Sequence, residues 1–181
     1  MALLRAVEAL AIEGGYEGAS LSAVAEHAGV SRPTVYQYFS SKDHLLAELN
    51  IVLGERFTWI VNEQVLDTPD SRRELLRRLI RDMVEDGLRK PRLLSAVLAT
   101  VSSPEPAVVT ACQELQSLMH QRFHRVLEAG SVSPDEAHTR AAILRHVFSS
   151  CLIGLSTGQL ERDEALRQLD ATIELICVDL G

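Results

Sequence analysis

The stretch from Ser20 to Lys42 constrains the fold more than any other part of the sequence, because it specifies two short helices joined by a tight turn. Apolar residues recur at helical spacing in the first of these helices, namely Leu21, Val24, Ala25 and Ala28. Gly29 follows, where a left-handed backbone costs glycine little. Ser31 is a favourable N-cap for the second helix, and Pro33 lies in its first turn. The pattern predicts a helix-turn-helix.

The second helix of this motif is polar on the side that faces away from its partner. Val35 and Phe39 have the spacing of inward-facing residues. Arg32 can donate two hydrogen bonds to guanine, and Gln37 can pair in the same way with adenine. The residues suited to phosphate contacts are Ser20, Ser22, Tyr36, Tyr38 and Lys42. We expect this helix to enter the major groove of DNA, although a surface turn without a partner remains the alternative.

The same region resembles the DNA-binding domain of the TetR family of bacterial repressors. The residues that carry the resemblance are Gly15, Tyr16, Ser20, Leu21, Val24, Ala25, Ala28, Gly29, Val30, Ser31, Thr34, Val35, Tyr36, Tyr38, Phe39, Lys42, Leu45 and Leu46. They span roughly the first quarter of the chain, and the rest matches the family only in its helix pattern. The resemblance implies DNA contacts from Ser20, Ser22, Ser31, Arg32, Pro33, Thr34, Tyr36, Gln37, Tyr38 and Lys42, with Arg32, Pro33, Thr34 and Gln37 facing the bases.

Charge runs against this interpretation. The chain carries a formal net charge of −7, and residues 1–48 contain three Lys or Arg against six Asp or Glu, a net charge of −3. DNA-binding domains usually present a basic surface. Two explanations stay open: hydroxyls, backbone amides and helix N-termini hold the phosphates, or a basic arm of the kind that this family often carries precedes Met1.

Composition favours helices throughout. Of the 181 residues 46% are hydrophobic but only 4% are aromatic, which suits a packed helical interior better than a sheet. We expect nine helices, at about 2–13, 21–28, 32–39, 42–66, 71–90, 91–101, 107–129, 134–157 and 163–178. The all-α, TetR-like fold would consist of a DNA-binding domain (1–47) and a ligand-binding and dimerisation domain (48–181). No apolar segment is long enough to span a bilayer and no secretion signal is readable, so a cytoplasmic location is expected.

The last two predicted helices carry more apolar surface than one helical hairpin needs. Resemblance to the family implies a homodimer through these helices, packed as a four-helix bundle. The predicted interface residues are Leu144, Phe148, Cys151, Leu155, Leu169, Ile173 and Ile176. The alternative is that the hairpin uses its whole apolar surface within its own chain.

The resemblance also implies a cavity for a small-molecule effector between the fourth and eighth helices. Its candidate lining is Phe57, Trp59, Ile60, Met83, Leu94, Leu98, Met119, Phe123 and Phe148, each of which is also compatible with ordinary core packing. The start of the sixth helix, Pro91-Arg92-Leu93-Leu94, resembles actinobacterial regulators of lipid and sterol catabolism, which respond to acyl- or steroid-CoA thioesters. No cofactor is expected.

Three patterns suggest chemistry that the context does not support. The run from Gly154 to Gly158 fits the hydrolase motif G-x-S-x-G, but that motif needs a preceding strand and here follows an apolar helix. His120 and His124 could share a metal, yet no nearby residue completes a ligand set, so no metal is expected. The widely spaced cysteines, Cys112, Cys151 and Cys177, suit buried thiols in a reducing compartment.

The sequence thus predicts a repressor that binds a pseudo-palindromic DNA operator as a homodimer and is released by a small apolar effector. Two other classes remain open. The acidic N-terminal region is compatible with a helical protein-interaction module that ignores DNA. A small helical enzyme is the other alternative, but no nucleophile–base pair, metal set or phosphate loop is readable, so enzymatic activity is not expected.

Overall fold

The computed structural model describes residues 2–57, 69–128 and 132–177, and in these ranges the chain is helical with no β-strand. The α-helices are α1 (Ala2–Gly18), α2 (Leu21–His27), α3 (Arg32–Tyr38), α4 (Lys42–Glu55), α5 (Pro69–Arg89), α6 (Pro91–Leu98), α7 (Pro106–Glu128), α8 (Pro134–Thr157) and α9 (Arg162–Ile176). A short 3₁₀ helix, Ala99–Ser102, follows α6. The predicted all-α class is confirmed. Within the described ranges no single helix is long and apolar enough to cross a membrane; only α6 with its 3₁₀ extension and α7, bent by 115°, qualify jointly by length and composition.

The chain forms two compact units, and the first consists of Met1–Leu53 together with Gly87–Leu115. Its core joins α1 to α4 with α6 around a set of fully buried side chains. They include Val7, Val24, Val35, Leu45, Leu46 and Leu49 from the N-terminal helices and Leu93, Ala96 and Val97 from α6. A guanidinium N–H of Arg92 donates to the Glu13 carbonyl, which holds the start of α6 against α1. α6 therefore packs in the same core as the helices of the predicted domain 1–47.

The second unit, Gly54–Asp86 with Gln116–Gly181, is built on long helices. Its fully buried side chains come from four of them and include Leu76, Leu79, Ile80, Phe123, Leu127, Leu144, Leu169 and Ile173. Arg77 forms an ion pair with Glu174, and Arg73 Nη2 donates to the Cys177 carbonyl at 3.2 Å. These contacts tie α5 to the end of α9, where cations also complement the helix dipole.

Several predicted helix ends need correction. The predicted end of the first helix near residue 13 is confirmed by Gly15, whose φ of 61° and ψ of −151° interrupt the helical backbone within α1 before a short helical stretch that ends at Gly18. The fifth helix, predicted to begin at 71, begins at Pro69. The sixth helix tightens into its 3₁₀ extension after Leu98. The fourth helix, predicted to run to about 66, ends at Glu55, and the next two residues form a turn in which the Phe57 N–H donates to the Gly54 carbonyl at 3.2 Å. The predicted end of the seventh helix at 129 lies outside the described residues.

Other predicted ends are confirmed. Ser133 caps α8, with its side chain accepting a hydrogen bond from the Glu136 N–H at 3.3 Å. At the other end Gly158 takes the left-handed conformation, φ 71°, expected of a residue that closes a helix.

Candidate nucleic-acid interface

The turn between α2 and α3 is fixed by hydrogen bonds that the local sequence supplies. The Ser20 hydroxyl caps α2 by accepting from the Ala23 N–H at 3.2 Å. At the other end of α2 the Gly29 N–H donates to the Glu26 carbonyl (3.1 Å) and the Val30 N–H to the Ala25 carbonyl (3.0 Å). With Gly29 at φ 68°, this pattern is a Schellman motif. The predicted left-handed glycine of the helix-turn-helix is thereby confirmed.

The start of α3 is fixed in the same local way. Ser31 is its N-cap, and its side chain accepts from the Thr34 N–H at 3.3 Å. The two hydroxyls of Ser31 and Thr34 are also hydrogen-bonded, at 2.8 Å. Pro33 occupies the first turn, where its missing N–H leaves no unmet hydrogen bond. Predicted cap and proline positions are both confirmed.

The outer side of α3 brings together most of the residues predicted to contact DNA. Within Arg32–Tyr38, all of which the structure describes, Val35 is the one buried residue. The exposed residues are Arg32, Pro33, Gln37 and the two tyrosines Tyr36 and Tyr38, which are 58% and 66% exposed. Thr34 and Ser22 are half-buried, and Ser20 and Ser31 are exposed at their cap positions. The residues predicted to face bases, together with Tyr36 and Tyr38, thus lie on one short helix, and most of them are exposed.

Lys42 is oriented by an aromatic ring. Its Nζ lies 3.5 Å from the centroid of the Tyr16 ring and 3.6 Å from Glu17 Oε1. The Tyr16 hydroxyl in turn donates to Asp43 Oδ1, and this hydrogen bond, with burial and the nearby carboxylates, raises the pKa of Tyr16 to about 12. The lysine of the predicted DNA-binding set is therefore held by the contact between α1 and α4, close to the end of α3.

One residue that the sequence did not indicate lies at the end of α3. Glu105 accepts a hydrogen bond from the Ser40 hydroxyl and another, at 2.5 Å, from the Ser41 hydroxyl. These two hydrogen bonds, together with the proximity of His44, lower the pKa of the Glu105 carboxyl. No spacing in the sequence could have shown this contact, because Glu105 follows Ser40 by 65 residues.

The predicted effector-binding residues fall in two places. Leu94 and Leu98 belong to the first unit, whereas Phe57, Met83, Met119, Phe123 and Phe148 belong to the second, and Trp59 and Ile60 lie outside the described residues. In the second unit the Phe123 and Phe148 rings meet edge to face, with centroids 6.2 Å apart. The buried guanidinium of Arg122 lies 3.8 Å from Met119 Sδ and donates to the Gly54 carbonyl at 2.5 Å. Burial lowers the pKa of Arg122, while Glu55 opposes the shift.

The predicted dimer-interface residues point into the chain itself. Leu144, Phe148, Cys151, Leu169, Ile173 and Ile176 are all buried in the single chain, and Leu155 is half-buried. The first six therefore have almost no surface left to offer a second copy. The helical periodicity identified apolar residues on both helices, but it did not show which of them face the interior of the chain. Exposed apolar residues on the same two helices are Ile143, Ile153 and Leu175, at 46%, 41% and 76%.

The remaining sequence patterns are accounted for by helix structure. Gly154–Gly158 lies at the end of α8, where the Ser156 hydroxyl donates to the Ile153 carbonyl at 2.9 Å, so this serine is no nucleophile on a strand turn. His120 and His124 of α7 lie beside His138 of α8, and His120 Nε2 is 3.0 Å from His138 Nδ1. Across the described ranges, no group of three His, Cys, Asp or Glu side chains is placed to hold a metal ion.

Comparison with known proteins establishes the class that this geometry indicates. The family described as bacterial regulatory proteins, tetR family, matches residues 3–49, and the tetracyclin repressor-like C-terminal domain matches residues 70–176. The second match alone covers more than half of the chain, and the chain belongs to the TetR family of transcriptional regulators. It is a regulator with a helix-turn-helix DNA-binding domain and not an enzyme.

Individual relatives agree with this assignment. The HTH-type transcriptional repressor KstR of Mycobacterium tuberculosis is 27% identical over 182 residues, covering 98% of this chain and 80% of the relative. A TetR transcriptional regulator from Rhodococcus sp. RHA1 has the same fold, with a TM-score of 0.82, 21% identity and coverage of 99% and 96%. Thermus thermophilus FadR, solved in complex with lauroyl-CoA, gives a TM-score of 0.72 at 20% identity, with coverage of 97% and 91%.

Proposed function

We propose that the protein is a one-component repressor that binds a pseudo-palindromic operator as a homodimer in the cytoplasm. The observation that carries this proposal is the exposed polar side of α3, whose start is fixed by the Schellman turn and the serine cap that precede it. In the dimer each α3 occupies a major groove, and the two half-sites lie about one helical turn, roughly 34–36 Å, apart.

A selection experiment tests DNA binding. Purified protein is incubated with duplexes that contain about 30 random base pairs, long enough for two half-sites one helical turn apart. The expected result is enrichment of an inverted repeat, followed by a gel shift that survives moderate salt because base contacts add to phosphate contacts. Absence of any enriched sequence would contradict the proposal and favour the alternative of a protein-interaction module.

We place the dimer contact on the outward side of α8 and α9. Exposed residues of α8 recur with a period of 3.5, the spacing of helices that pack side by side. They are Ile143, His146, Ser150, Ile153 and Thr157, and the corresponding residues of α9 are Gln168, Ala171 and Leu175. This outer seam replaces the inward residues that the periodicity suggested. Its large apolar members, Ile143, Ile153 and Leu175, are exposed among the described residues, and a second copy of the chain would cover them.

The seam is tested by an arginine substitution at its centre. Ile153→Arg places a charge in the contact and should convert the dimer to a monomer at micromolar concentration, because an unpaired buried charge is costly. Val109→Arg is the matched control, since Val109 and Ile153 are both 41% exposed and Val109 lies on α7. Light scattering measures the mass. If Ile153→Arg stays dimeric, the dimer contact does not lie on this seam.

We propose an apolar effector with an anionic head, in the class of acyl- or steroid-CoA thioesters. Support comes from the FadR structure with lauroyl-CoA and from the apolar side chains Met119, Phe123 and Phe148 in the second unit. Buried Arg122 supplies a positive charge beside them. Ligand binding would favour a dimer whose recognition helices are wrongly spaced, and a few kcal/mol of differential affinity suffices for release.

Native mass spectrometry of the purified protein shows whether a small molecule is retained. Lauroyl-CoA, a steroid-CoA and coenzyme A alone are then titrated against the protein bound to its selected duplex. We expect a thioester with an apolar tail to release the DNA, and coenzyme A alone to have no effect, because the tail supplies the buried area. Equal effects of all three ligands would contradict an apolar effector site.

A further inference from the structure

The connection between α3 and α4, Phe39–Ser41, is held by a residue that is distant in sequence. Each carboxylate oxygen of Glu105 accepts one serine hydroxyl, Oε1 from Ser40 and Oε2 from Ser41. The first of these serines follows the C-cap residue of α3, and the second caps α4 by accepting the His44 N–H at 3.0 Å. One side chain thus spans the junction of two helices.

Glu105 is well suited to hold this junction in place. It lies between Pro104 and Pro106, whose rings fix the backbone φ on either side. Its carbonyl also accepts the Val109 N–H at 2.9 Å, the first hydrogen bond of α7. The backbone of Glu105 is therefore fixed at the start of a long helix, and a displacement of that helix start would move the residue that accepts from both serines.

The recognition helix has few other anchors. α3 is seven residues long, too short to be stable alone, and Val35 is the buried residue on it. His44 adds a contact to the same serine, because its Nδ1 accepts the Ser40 N–H at 3.2 Å and lies 3.0 Å from the Ser40 hydroxyl. The orientation of α3 thus depends on Val35 at its centre, on the C-cap residue Phe39 packed against the same core, and on this polar cluster at its end.

We infer that Glu105 is a positioning residue for DNA recognition: it fixes the end of α3 to the start of α7 through Ser40 and Ser41, so that operator affinity depends on both hydrogen bonds. The inference rests on the proposed DNA-binding function. It predicts that removing this carboxylate changes operator affinity in the direction opposite to the usual one. Removing a carboxylate from a DNA-binding domain ordinarily strengthens binding, because repulsion from phosphates is relieved. Loss of a positioning carboxylate weakens it instead.

Two substitutions at Glu105 separate hydrogen bonding from charge. Glu105→Ala removes the charge and both hydrogen bonds, whereas Glu105→Gln removes the charge but keeps two polar atoms. The glutamine oxygen can accept from Ser41, and its amide can donate to Ser40, whose hydroxyl then donates to His44 Nδ1. We expect Glu105→Ala to bind the selected duplex about fivefold to tenfold more weakly, and Glu105→Gln to bind at least as tightly as the wild type.

Glu114→Ala controls for charge alone, since Glu114 is exposed further along α7 in the same unit. It should leave affinity unchanged or raise it slightly. In a double-substitution cycle, Glu105→Ala should cost much less in a Ser40→Ala/Ser41→Ala background, because the acceptor then has no hydroxyls to hold. Equal or tighter binding by Glu105→Ala, or full additivity in the cycle, would overturn the inference.

A measurement without DNA keeps this result separate from the proposed function. Hydrogen–deuterium exchange of the peptide covering 39–46 should speed up in Glu105→Ala and stay at the wild-type rate in Glu105→Gln and Glu114→Ala. If the wild type selects no duplex, the proposed function fails, and the exchange rates alone decide on the positioning role. If the wild type binds DNA but exchange in Glu105→Ala is unchanged, the inference fails and the function stands.

Discussion

The two compact units of this regulator encode their candidate sites in different ways. In the first unit, the caps, the glycine turn and the exposed side of α3 come from about twenty consecutive residues, and most of their hydrogen bonds link residues three to five apart. In the second unit, the candidate effector residues come from separate helices and are related by burial rather than by spacing. The comparison teaches that a site made by local backbone geometry is readable from sequence, whereas one made by packing between distant helices is not.

The largest expected effect is a loss of stability, and it tests how much side-chain packing stabilises the second unit. Phe123→Ala removes a fully buried ring that meets Phe148 edge to face, and it should lower the free energy of unfolding by about 3–5 kcal/mol. Phe57→Ala is the matched control, because Phe57 is half-buried in the same unit and its loss should cost clearly less. Urea denaturation at one fixed protomer concentration measures both. Equal losses would show that burial does not set the contribution of these rings.

The second effect tests the first unit, where individual side chains rather than packing should decide function. Arg32→Ala should relax preference at one base pair of the operator by about 1–3 kcal/mol, because a bidentate contact to guanine is lost. Lys42→Ala is expected to weaken binding to all sequences alike, since a phosphate contact reads no base. Affinities for the selected duplex and for its single-base variants separate the two. A uniform loss for Arg32→Ala would remove it from the base-reading set.

The features that could be predicted from the sequence are those that depend on local backbone geometry, and the features that depend on packing between distant residues could not be predicted. The turn of the helix-turn-helix was predictable at Gly29 and Ser31, because each has a strong conformational preference of its own. The cap of α2 by Ser20 was not predicted. Within the described ranges, the order of the α-helices followed from periodicity and breakers. The break near the end of α1 was also predictable, because Gly15 takes a φ of 61° that suits glycine. Other helix ends were less secure, since α4 ends at Glu55 and not near the predicted 66.

Three features of the structure could not have been read from the sequence. Membership of α6 in the first core depends on Leu93 and Val97 packing against α1, a contact across some eighty residues. The hydrogen bonds that Glu105 accepts from Ser40 and Ser41 join segments more than sixty residues apart. On α8 and α9 the pattern contained two apolar stripes, and only the folded chain shows that the one through Leu144 and Ile173 is internal.

A smaller effect probes the local encoding of the turn. Gly29→Ala forces a side chain into the left-handed region at φ 68° and should cost about 1 kcal/mol of stability. Gly14→Ala should have the opposite sign, stabilising by about 0.5–1 kcal/mol, because Gly14 is helical within α1 and a Cβ there would meet no atom within 4 Å. Thermal unfolding of both variants gives the comparison. Stabilisation by Gly29→Ala would show that the turn tolerates another geometry.

The smallest effect concerns pH and belongs to the second unit. Burial lowers the pKa of His120, and the nearby His138, His124 and Arg145 lower it further, while Glu128 pairs with His124 at 3.5 Å. The folded state therefore binds the His120 proton less readily than the unfolded state. Because the unfolded chain takes up more protons as pH falls below the ordinary histidine value of about 6.5, stability should fall with it.

Replacing His120 with glutamine isolates this contribution. His120→Gln keeps a donor near His138 Nδ1 but cannot titrate, so the loss of stability between about pH 7.5 and 5.5 should become shallower than in the wild type. His27→Gln makes the same change at an exposed position of α2 and serves as the control. Free energies of unfolding measured across this pH range supply the slopes. If His120→Gln keeps the wild-type slope, groups other than His120 cause the loss of stability in acid. The burial of His120 would then make no contribution to that loss.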